Sequence, residues 1–123
     1  MPRNRKIAVW SLLLLLSAAC KDGAGAWSED TPQTIEFLIS SVEESHLTFV
    51  RNGEYHTSEE AARHIRNKYD HFRSEINTPE KFIDLCASKS LISGEPYLVV
   101  TAQGKVPVEK WLRQILAEHK NSE

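Results

Sequence analysis

Apolar side chains recur at the spacing of an α-helix in four separate segments of this chain. In each segment they fall on one side of a helical wheel, which is typical of helices that bury one face. The four stripes are Ile35, Leu38, Ile39 and Val42; Ala62, Ile65, Tyr69, Phe72 and Ile76; Phe82, Ile83, Leu85 and Cys86; and Val108, Trp111, Leu112, Ile115 and Leu116. Since no segment is apolar all round, we expect these helices to bury their stripes on one another.

Each predicted helix has a start signal. Thr31-Pro32 and Thr78-Pro79 place a capping residue before a proline at the first helical position, where a missing N–H costs nothing. Thr57 and Glu60 form a capping box, in which each side chain bonds to the backbone N–H of the other residue. The last helix is predicted to open at Pro107. The sequence therefore predicts four helices with defined starts.

Two short segments, Leu47–Val50 and Tyr97–Val100, are predicted to be extended. Each is followed by a turn dipeptide, Asn52-Gly53 or Gln103-Gly104. Pro96 before the second segment is compatible with an edge strand. The predicted fold class is therefore mainly α: a compact bundle of about four amphipathic helices, with room beside it for a small two-stranded β ribbon.

The amino-terminal segment has the layout of a bacterial secretory signal. Basic residues occur between Arg3 and Lys6, an apolar run covers Ile7–Ala19, and Ala24-Gly25-Ala26 supplies an A-x-A cleavage site. The run is shorter than the roughly 20 apolar residues that span a bilayer. We therefore expect residues 1–26 to be removed on export.

Two processing routes fit this segment, and they give different products. Cleavage by the first route leaves a polar lead-in at 27–31, a single helical domain at 32–120 and a tail at 121–123. In the second route residues 1–19 are removed and Cys20 is acylated, as in a lipoprotein, although the residues before Cys20 match a lipobox imperfectly. Both routes predict a protein of the bacterial periplasm, soluble in the first case and lipid-anchored in the second.

Charge limits the partners of the exported domain. The whole chain carries 15 basic and 17 acidic residues. Loss of Arg3, Arg5, Lys6, Lys21 and Asp22 leaves 11 basic and 16 acidic residues, a net charge of −5. Nucleic acids and anionic lipids are bound by clustered Lys and Arg. We therefore expect no nucleic-acid partner and a membrane contact only through acylation of Cys20. We also expect the domain to be a monomer.

Patterns typical of catalysis or metal binding are weak. Cys86 lies in an apolar helical stripe, so we interpret it as a core side chain. His56, Glu60 and His64 are four residues apart, as zinc ligands on one helix face are, but His56 precedes the helix cap and Glu60 belongs to the capping box. We therefore interpret these three residues as part of a solvated flank of the helix rather than as a metal site. No catalytic residue, metal or cofactor is predicted.

The loop from Arg51 to His56 is the best candidate for recognition. It carries a guanidinium, an amide, a phenol and an imidazole, groups that bind carboxylates, sugars or peptide backbones. The alternative is structural: Asn52-Gly53 turns the chain, Arg51 pairs with a helix C-terminus and Tyr55 packs. The candidate residues for a ligand or partner are Arg51, Asn52, Tyr55, His56, Glu60, His64, Lys68, Ser93 and Tyr97.

A series of short motifs extends beyond this loop. They are Phe49-Val50-Arg51-Asn52-Gly53, His56-Thr57, Glu60-Ala61, His64, Lys68, Thr78, Phe82-Ile83, Ala87-Ser88, Ser93-Gly94 and Pro96-Tyr97. With these motifs the chain resembles, over Ile35–Val100, the YfeK-like family of small exported bacterial proteins, a domain of unknown function. The resemblance implies export and a shared fold, but it implies no activity.

Three hypotheses follow for the unknown function. The first is a non-catalytic periplasmic module that binds an unknown small ligand or an envelope protein. The second is a small envelope hydrolase with His56 or His64 as its base. The third is a structural subunit that docks on a protein partner through an edge strand at Tyr97–Val100.

Overall fold

A computed structural model of the protein describes residues 31–122. The elements in this part of the chain are α1 (Thr31–Glu44), β1 (Thr48–Arg51), β2 (Glu54–His56), α2 (Ser58–Phe72), a 3-10 turn (Arg73–Glu75), α3 (Pro79–Cys86), β3 (Leu98–Thr101), β4 (Gly104–Pro107) and α4 (Val108–Asn121). The predicted signal sequence and Cys20 lie outside the described residues. Of the helices described, none is long and apolar enough to cross a membrane.

The four strands form one antiparallel sheet in the order β2-β1-β3-β4. Phe49 of β1 is opposite His56 of β2 on one side and Val99 of β3 on the other. The predicted mainly α bundle with a two-stranded ribbon is therefore wrong. The two segments that were predicted to be extended do pair, but they are the centre of a four-stranded sheet. With the helices in a second layer, the architecture is α+β.

The two strands that the sequence did not predict, β2 and β4, each belong to a tight hairpin. Asn52 and Gly53 have φ angles of 52° and 80°, the left-handed values of a two-residue hairpin turn, so that β1 reverses directly into β2. A second hairpin joins β3 to β4 and has Gly104 at φ 106°. Pro107 does not begin the last helix: it ends β4 and is the N-cap of α4. The strands β2 and β4 have only three and four residues, too few to show a hydrophobic alternation.

The segment that was predicted as an edge strand lies inside the sheet. β3 is paired with β1 on one side and with β4 on the other, so its backbone groups are already bonded along both sides. The edges are β2 and β4. The prediction of an edge strand at Tyr97–Val100 is therefore wrong. The hypothesis that the protein docks on a partner through this strand is wrong for the same reason.

One core joins the helices to the inner face of the sheet. Phe49 and Val99 are both buried in it, and side chains two residues away along each strand point to the same face. The predicted stripes supply most of the rest, namely Ile35, Leu38, Ile39, Val42, Ala62, Ile65, Tyr69, Phe82, Ile83, Cys86, Val108, Leu112 and Leu116. Arg51 and Tyr97, two residues from Phe49 and Val99, are thereby placed on the helix side of the sheet.

Two sequence interpretations are confirmed by the structure. The capping box is present, because the Thr57 hydroxyl accepts from the Glu60 N–H at 3.1 Å and the Glu60 carboxylate accepts from the Thr57 N–H at 3.0 Å. Cys86 is a fully buried free cysteine. Burial raises the pKa of its thiol to about 11, so the nucleophilic thiolate is scarce at neutral pH.

Candidate functional site

Four polar side chains from three parts of the fold meet between the sheet and α2. Arg51 ends β1, Tyr97 precedes β3, and His64 and Lys68 are one helical turn apart on the face of α2 that covers them. We call these four residues the cationic cluster. Their convergence depends on the pairing of β1 with β3, which brings Arg51 beside Tyr97.

Hydrogen bonds connect the members of the cationic cluster in a chain. Nη1 of Arg51 lies 2.7 Å from Nδ1 and 3.1 Å from Nε2 of His64. Nε2 of His64 lies 3.1 Å from the Tyr97 hydroxyl. Nζ of Lys68 donates to the same hydroxyl at 3.2 Å and to the backbone carbonyl of Lys89 at 3.1 Å. Lys68 is only 8% exposed.

The donors in this chain fix where the protons lie. Arg51 can only donate, so Nδ1 of His64, the closer ring nitrogen, must accept, and we assign the imidazole proton to Nε2. Nε2–H then donates to the Tyr97 oxygen, which also accepts from Lys68. The Tyr97 hydroxyl proton is therefore not used by His64 or Lys68, and it remains able to donate to another group.

The cationic cluster carries two cations that are not neutralised by the described residues. No Asp or Glu in residues 31–122 forms an ion pair with Arg51 or Lys68, whereas Arg66, Arg73, Arg113 and Lys120 each pair with a carboxylate. Burial first, and then the nearby Arg51, lowers the pKa of Lys68. Burial also raises the pKa of Tyr97, a shift that the Arg51 charge opposes. Two cationic side chains without a carboxylate partner among residues 31–122 thus lie together, in a protein whose sequence carries 17 acidic and 15 basic residues.

His64 is neutral at physiological pH because of its burial and the two neighbouring cations. Burial, followed by the charges of Arg51 and Lys68, lowers the pKa of its imidazole to about 4, from an ordinary value near 6.5. A neutral imidazole can accept the Arg51 hydrogen bond, whereas an imidazolium would repel both neighbouring cations.

A groove opens beside the cationic cluster. It has a volume of about 340 Å³, within the range of small-molecule sites. Its lining residues are Arg51, Asn52, His64, Lys68, Ser90, Leu91, Ile92 and Tyr97. Hydrogen bonds connect the two sides of its polar wall, the β1–β2 turn and the loop before β3. The Asn52 amide donates to Ser90 Oγ at 3.4 Å, and the Ser93 hydroxyl donates to Asn52 Oδ1.

A smaller inner cavity adjoins the groove. Arg51, His64 and Tyr97 line both spaces, and the inner cavity continues among Phe49, Val50, His56, Glu60, Ala61, Ile65 and Val108. Its volume of about 40 Å³ is enough for a few water molecules. His56 Nε2 is buried here with no hydrogen-bond partner among the described residues. Its other ring nitrogen, Nδ1, lies 3.5 Å from the Glu60 carboxylate, within ion-pair distance, and Nε2 lies 3.9 Å from the Glu54 carboxylate, too far for a hydrogen bond.

The structure brings together most of the residues that the sequence nominated. Arg51, Asn52, His64, Lys68 and Tyr97 line the groove, and Ser93 holds Asn52 in its wall. His56 and Glu60 line only the inner cavity.

One nominated residue lies outside the groove, and two residues that line it were not nominated. Tyr55 lines neither space: it is 59% exposed, with the Lys105 ammonium 5.1 Å from its ring centre. The sequence analysis missed Leu91 and Ile92, which also line the groove. The signal that could have found them was an aliphatic pair inside an otherwise polar loop. No group of three or more His, Cys, Asp or Glu among residues 31–122 is placed to hold a metal ion.

The depressed pKa of His64 predicts how stability depends on pH. Between pH 6.5 and 4 the unfolded chain takes up a proton at this side chain and the folded protein does not, so the free energy of unfolding falls as pH falls through this window. Because His64 is half-buried and screened by solvent, we expect a loss of about 1–2 kcal/mol. Urea unfolding at pH 7, 6, 5 and 4 should show that His64→Gln lacks this loss.

His71→Gln is the matched control, because His71 is an exposed histidine of the same helix. It should keep the pH dependence of the wild-type protein. The same loss of stability in His64→Gln and in the wild type would show that the acid sensitivity arises elsewhere.

The chain matches known proteins over nearly all of the described region. Residues 29–120 match the model of a family of unknown function, DUF5329. Over 90 residues, 73% of this chain and 72% of the relative, the sequence is 41% identical to "Uncharacterized protein YfeK" of Salmonella typhimurium (strain LT2). No solved structure matches. The resemblance to the YfeK-like family that the loop and helix motifs indicated is thereby confirmed, and the chain belongs to the DUF5329 family.

Proposed function

We propose that the protein is a non-catalytic binding module that holds a small anionic ligand, through a carboxylate or phosphate group, in the groove beside the cationic cluster. The observation that carries the proposal is the pair of cations, Arg51 and Lys68, which line the groove and have no carboxylate partner among the described residues. A buried cation such as Lys68, or a half-buried one such as Arg51, is costly without a counterion, and an anionic ligand would supply that counterion.

Enough donors remain for an anion. An ammonium has three N–H groups, and Lys68 uses two of them, on Lys89 and Tyr97. Arg51 uses Nη1 on His64, which leaves Nε and Nη2. The hydroxyl proton of Tyr97 is also available. Two charged donors and one neutral donor around a common space match the acceptor oxygens of a carboxylate or phosphate.

The proposal includes the location that the sequence predicts. The basic, apolar and small-residue order at the amino terminus favours export, so the ligand would be met in the periplasm, whether the product is soluble or anchored through Cys20. The family is one of unknown function, so membership in it does not identify the ligand.

A hydrolase is the weaker candidate. As a base, His64 would have to take up a proton close to neutral pH, but burial and two cations lower its pKa to about 4. Its Nδ1 is also occupied by the Arg51 guanidinium at 2.7 Å. His56 is the other nominated base, and its Nε2 is buried and has no hydrogen-bond partner among the described residues to orient it. These observations favour binding over turnover.

Removal of Arg51 tests the proposal. Titration calorimetry of the purified protein with sodium phosphate and sodium acetate, in a chloride background, should give saturable binding of at least one anion. Arg51→Ala should weaken it about tenfold, because a hydrogen bond to a charged group in a partly solvated place contributes about 1.5 kcal/mol. The melting temperature should change little, since Arg51 has no ion pair to lose within residues 31–122 and water can replace its hydrogen bond to the half-buried His64.

Arg63→Ala is the control, because Arg63 is an exposed arginine of α2 that lines neither space. It removes the same charge and should leave anion affinity unchanged. If the two variants weaken binding equally, the effect is one of net charge and the proposed site is wrong. Absence of saturable binding by phosphate and by acetate would also overturn the proposal.

A further inference from the structure

The rim of the groove exposes two adjacent aliphatic side chains. Leu91 is 66% exposed and Ile92 is 95% exposed, and both line the groove together with Arg51 and Lys68. Burying a side chain of this kind stabilises a protein by about 1.5–3 kcal/mol, so leaving both in water forgoes that gain.

The exposure is imposed by a well-bonded loop. The Gly94 N–H donates to the Ser90 carbonyl at 2.9 Å, and the Ser90 N–H donates to the Glu95 carbonyl at 3.0 Å. The Ser90 hydroxyl, in a residue that is 5% exposed, accepts from the Ile92 N–H at 3.2 Å. Leu91 and Ile92 are therefore presented on a fixed turn whose base is bonded across the groove to Asn52.

Charge and apolar surface meet in one space. A hydrated inorganic anion would use the polar floor, at Arg51 and Lys68, and would leave Leu91 and Ile92 in water. A ligand that has an aliphatic part next to its anionic group would cover both. The groove, at about 340 Å³, is large enough to take such a molecule.

We propose that the ligand is an amphipathic anion, with its carboxylate or phosphate group at Lys68, Arg51 and Tyr97 and its aliphatic chain against Leu91 and Ile92. This inference rests on the proposed function, because it takes the anionic group to be held by the cationic cluster. It adds a chemical class to that function: alkyl carboxylates or alkyl phosphates that bind as single molecules.

A chain-length series separates the two parts of the ligand. The purified protein is titrated with acetate, butanoate, hexanoate and octanoate, each below its micelle-forming concentration. Affinity should rise between twofold and fourfold for each added methylene, where fourfold corresponds to full burial of that group, and should level off when the chain passes Ile92. In the double variant Leu91→Ser/Ile92→Ser the longer acids should bind about as weakly as acetate.

Phe37→Ala is the matched control, because it truncates another exposed apolar side chain, on α1, that lines neither space. It should keep the full dependence on chain length. Neutral 1-octanol should not compete with octanoate, since it has no charge for Arg51 and Lys68.

The outcomes distinguish failure of this inference from failure of the proposed function. Acetate binding that depends on Arg51 but does not increase with chain length would overturn the inference and leave the function. Octanoate binding that persists in Arg51→Ala, or that octanol displaces, would mean a purely apolar surface and overturn the inference. Binding to phosphatidylglycerol vesicles without binding of monomeric octanoate would identify a membrane surface and also overturn it. Absence of binding by every carboxylate and by phosphate would overturn both.

Discussion

Replacing Lys68 by methionine should make the protein more stable and, at the same time, weaken its binding of anions about a hundredfold. Lys68 is 8% exposed, and burial lowers the pKa of its ammonium, which means that the folded protein holds this charge at a cost. Methionine keeps the unbranched shape of the side chain and removes the charge. Thermal unfolding and anion titration of the same sample measure both effects.

The gain in stability is expected because the cost of burying the ammonium exceeds the contacts that are lost with it. These are two hydrogen bonds and a cation–π contact, with Nζ 5.0 Å from the centre of the Tyr97 ring. The Lys89 carbonyl loses a donor, but Lys89 is an exposed residue, so water can replace that donor. The Tyr97 hydroxyl keeps its bond from His64. Relief of a destabilising group of this kind commonly adds about 0.5–2 kcal/mol, at the expense of the function that needed it.

The loss of affinity should exceed that of Arg51→Ala because Lys68 is more deeply buried. A charge-assisted bond away from water is at the upper end of the usual range, about 3 kcal/mol, which corresponds to roughly a hundredfold in the dissociation constant. Lys110→Met is the control, since Lys110 is an exposed lysine of α4 and should change neither property. A Lys68→Met protein that is less stable than the wild type and still binds anions would make Lys68 a structural residue.

The helices could be predicted because their signals are local. Caps and apolar stripes occupy a few consecutive turns, and Thr57 with Glu60 forms the expected box. The strands β2 and β4 could not be predicted, because three or four residues show no alternation and because pairing between strands is not local. Pro107 illustrates the difficulty, since a proline before an apolar helical stripe fits the first helical position as well as the end of a strand.

The candidate site was predictable by residue type and not by arrangement. The sequence nominated Arg51, His64 and Tyr97, and pairing of β1 with β3 is what brings the first within reach of the others. Whether Lys68 was buried could not be decided from a helical wheel that placed it at the boundary of the apolar face. The answer depends on the Lys89 carbonyl, 21 residues away in sequence, whose position only the fold defines.

The core under the cationic cluster should be sensitive to the loss of a single ring. Phe82 of α3 is fully buried, and its ring meets that of Tyr69 edge to face, with centroids 5.6 Å apart and an interplanar angle of 87°. Tyr69 is the residue that follows Lys68 on α2, so α3 supports the helix that carries two members of the cationic cluster. A helix of eight residues is not stable alone and depends on such contacts.

Phe82→Ala should therefore lower the free energy of unfolding by about 3–5 kcal/mol, through the lost burial of the ring and the cavity that it leaves. Urea unfolding, followed by circular dichroism and by tryptophan fluorescence, measures this loss, and the melting temperature should fall by at least about 12 °C. Phe37→Ala removes the same ring from a position that is 38% exposed, where the ring stacks on His119 of α4 with centroids 4.1 Å apart, and should cost at most about half as much as Phe82→Ala. Because one core joins the helices to the sheet, the two probes should report the same transition in Phe82→Ala. A loss no larger than that of Phe37→Ala, or helices that unfold separately from the sheet, would contradict a single shared core.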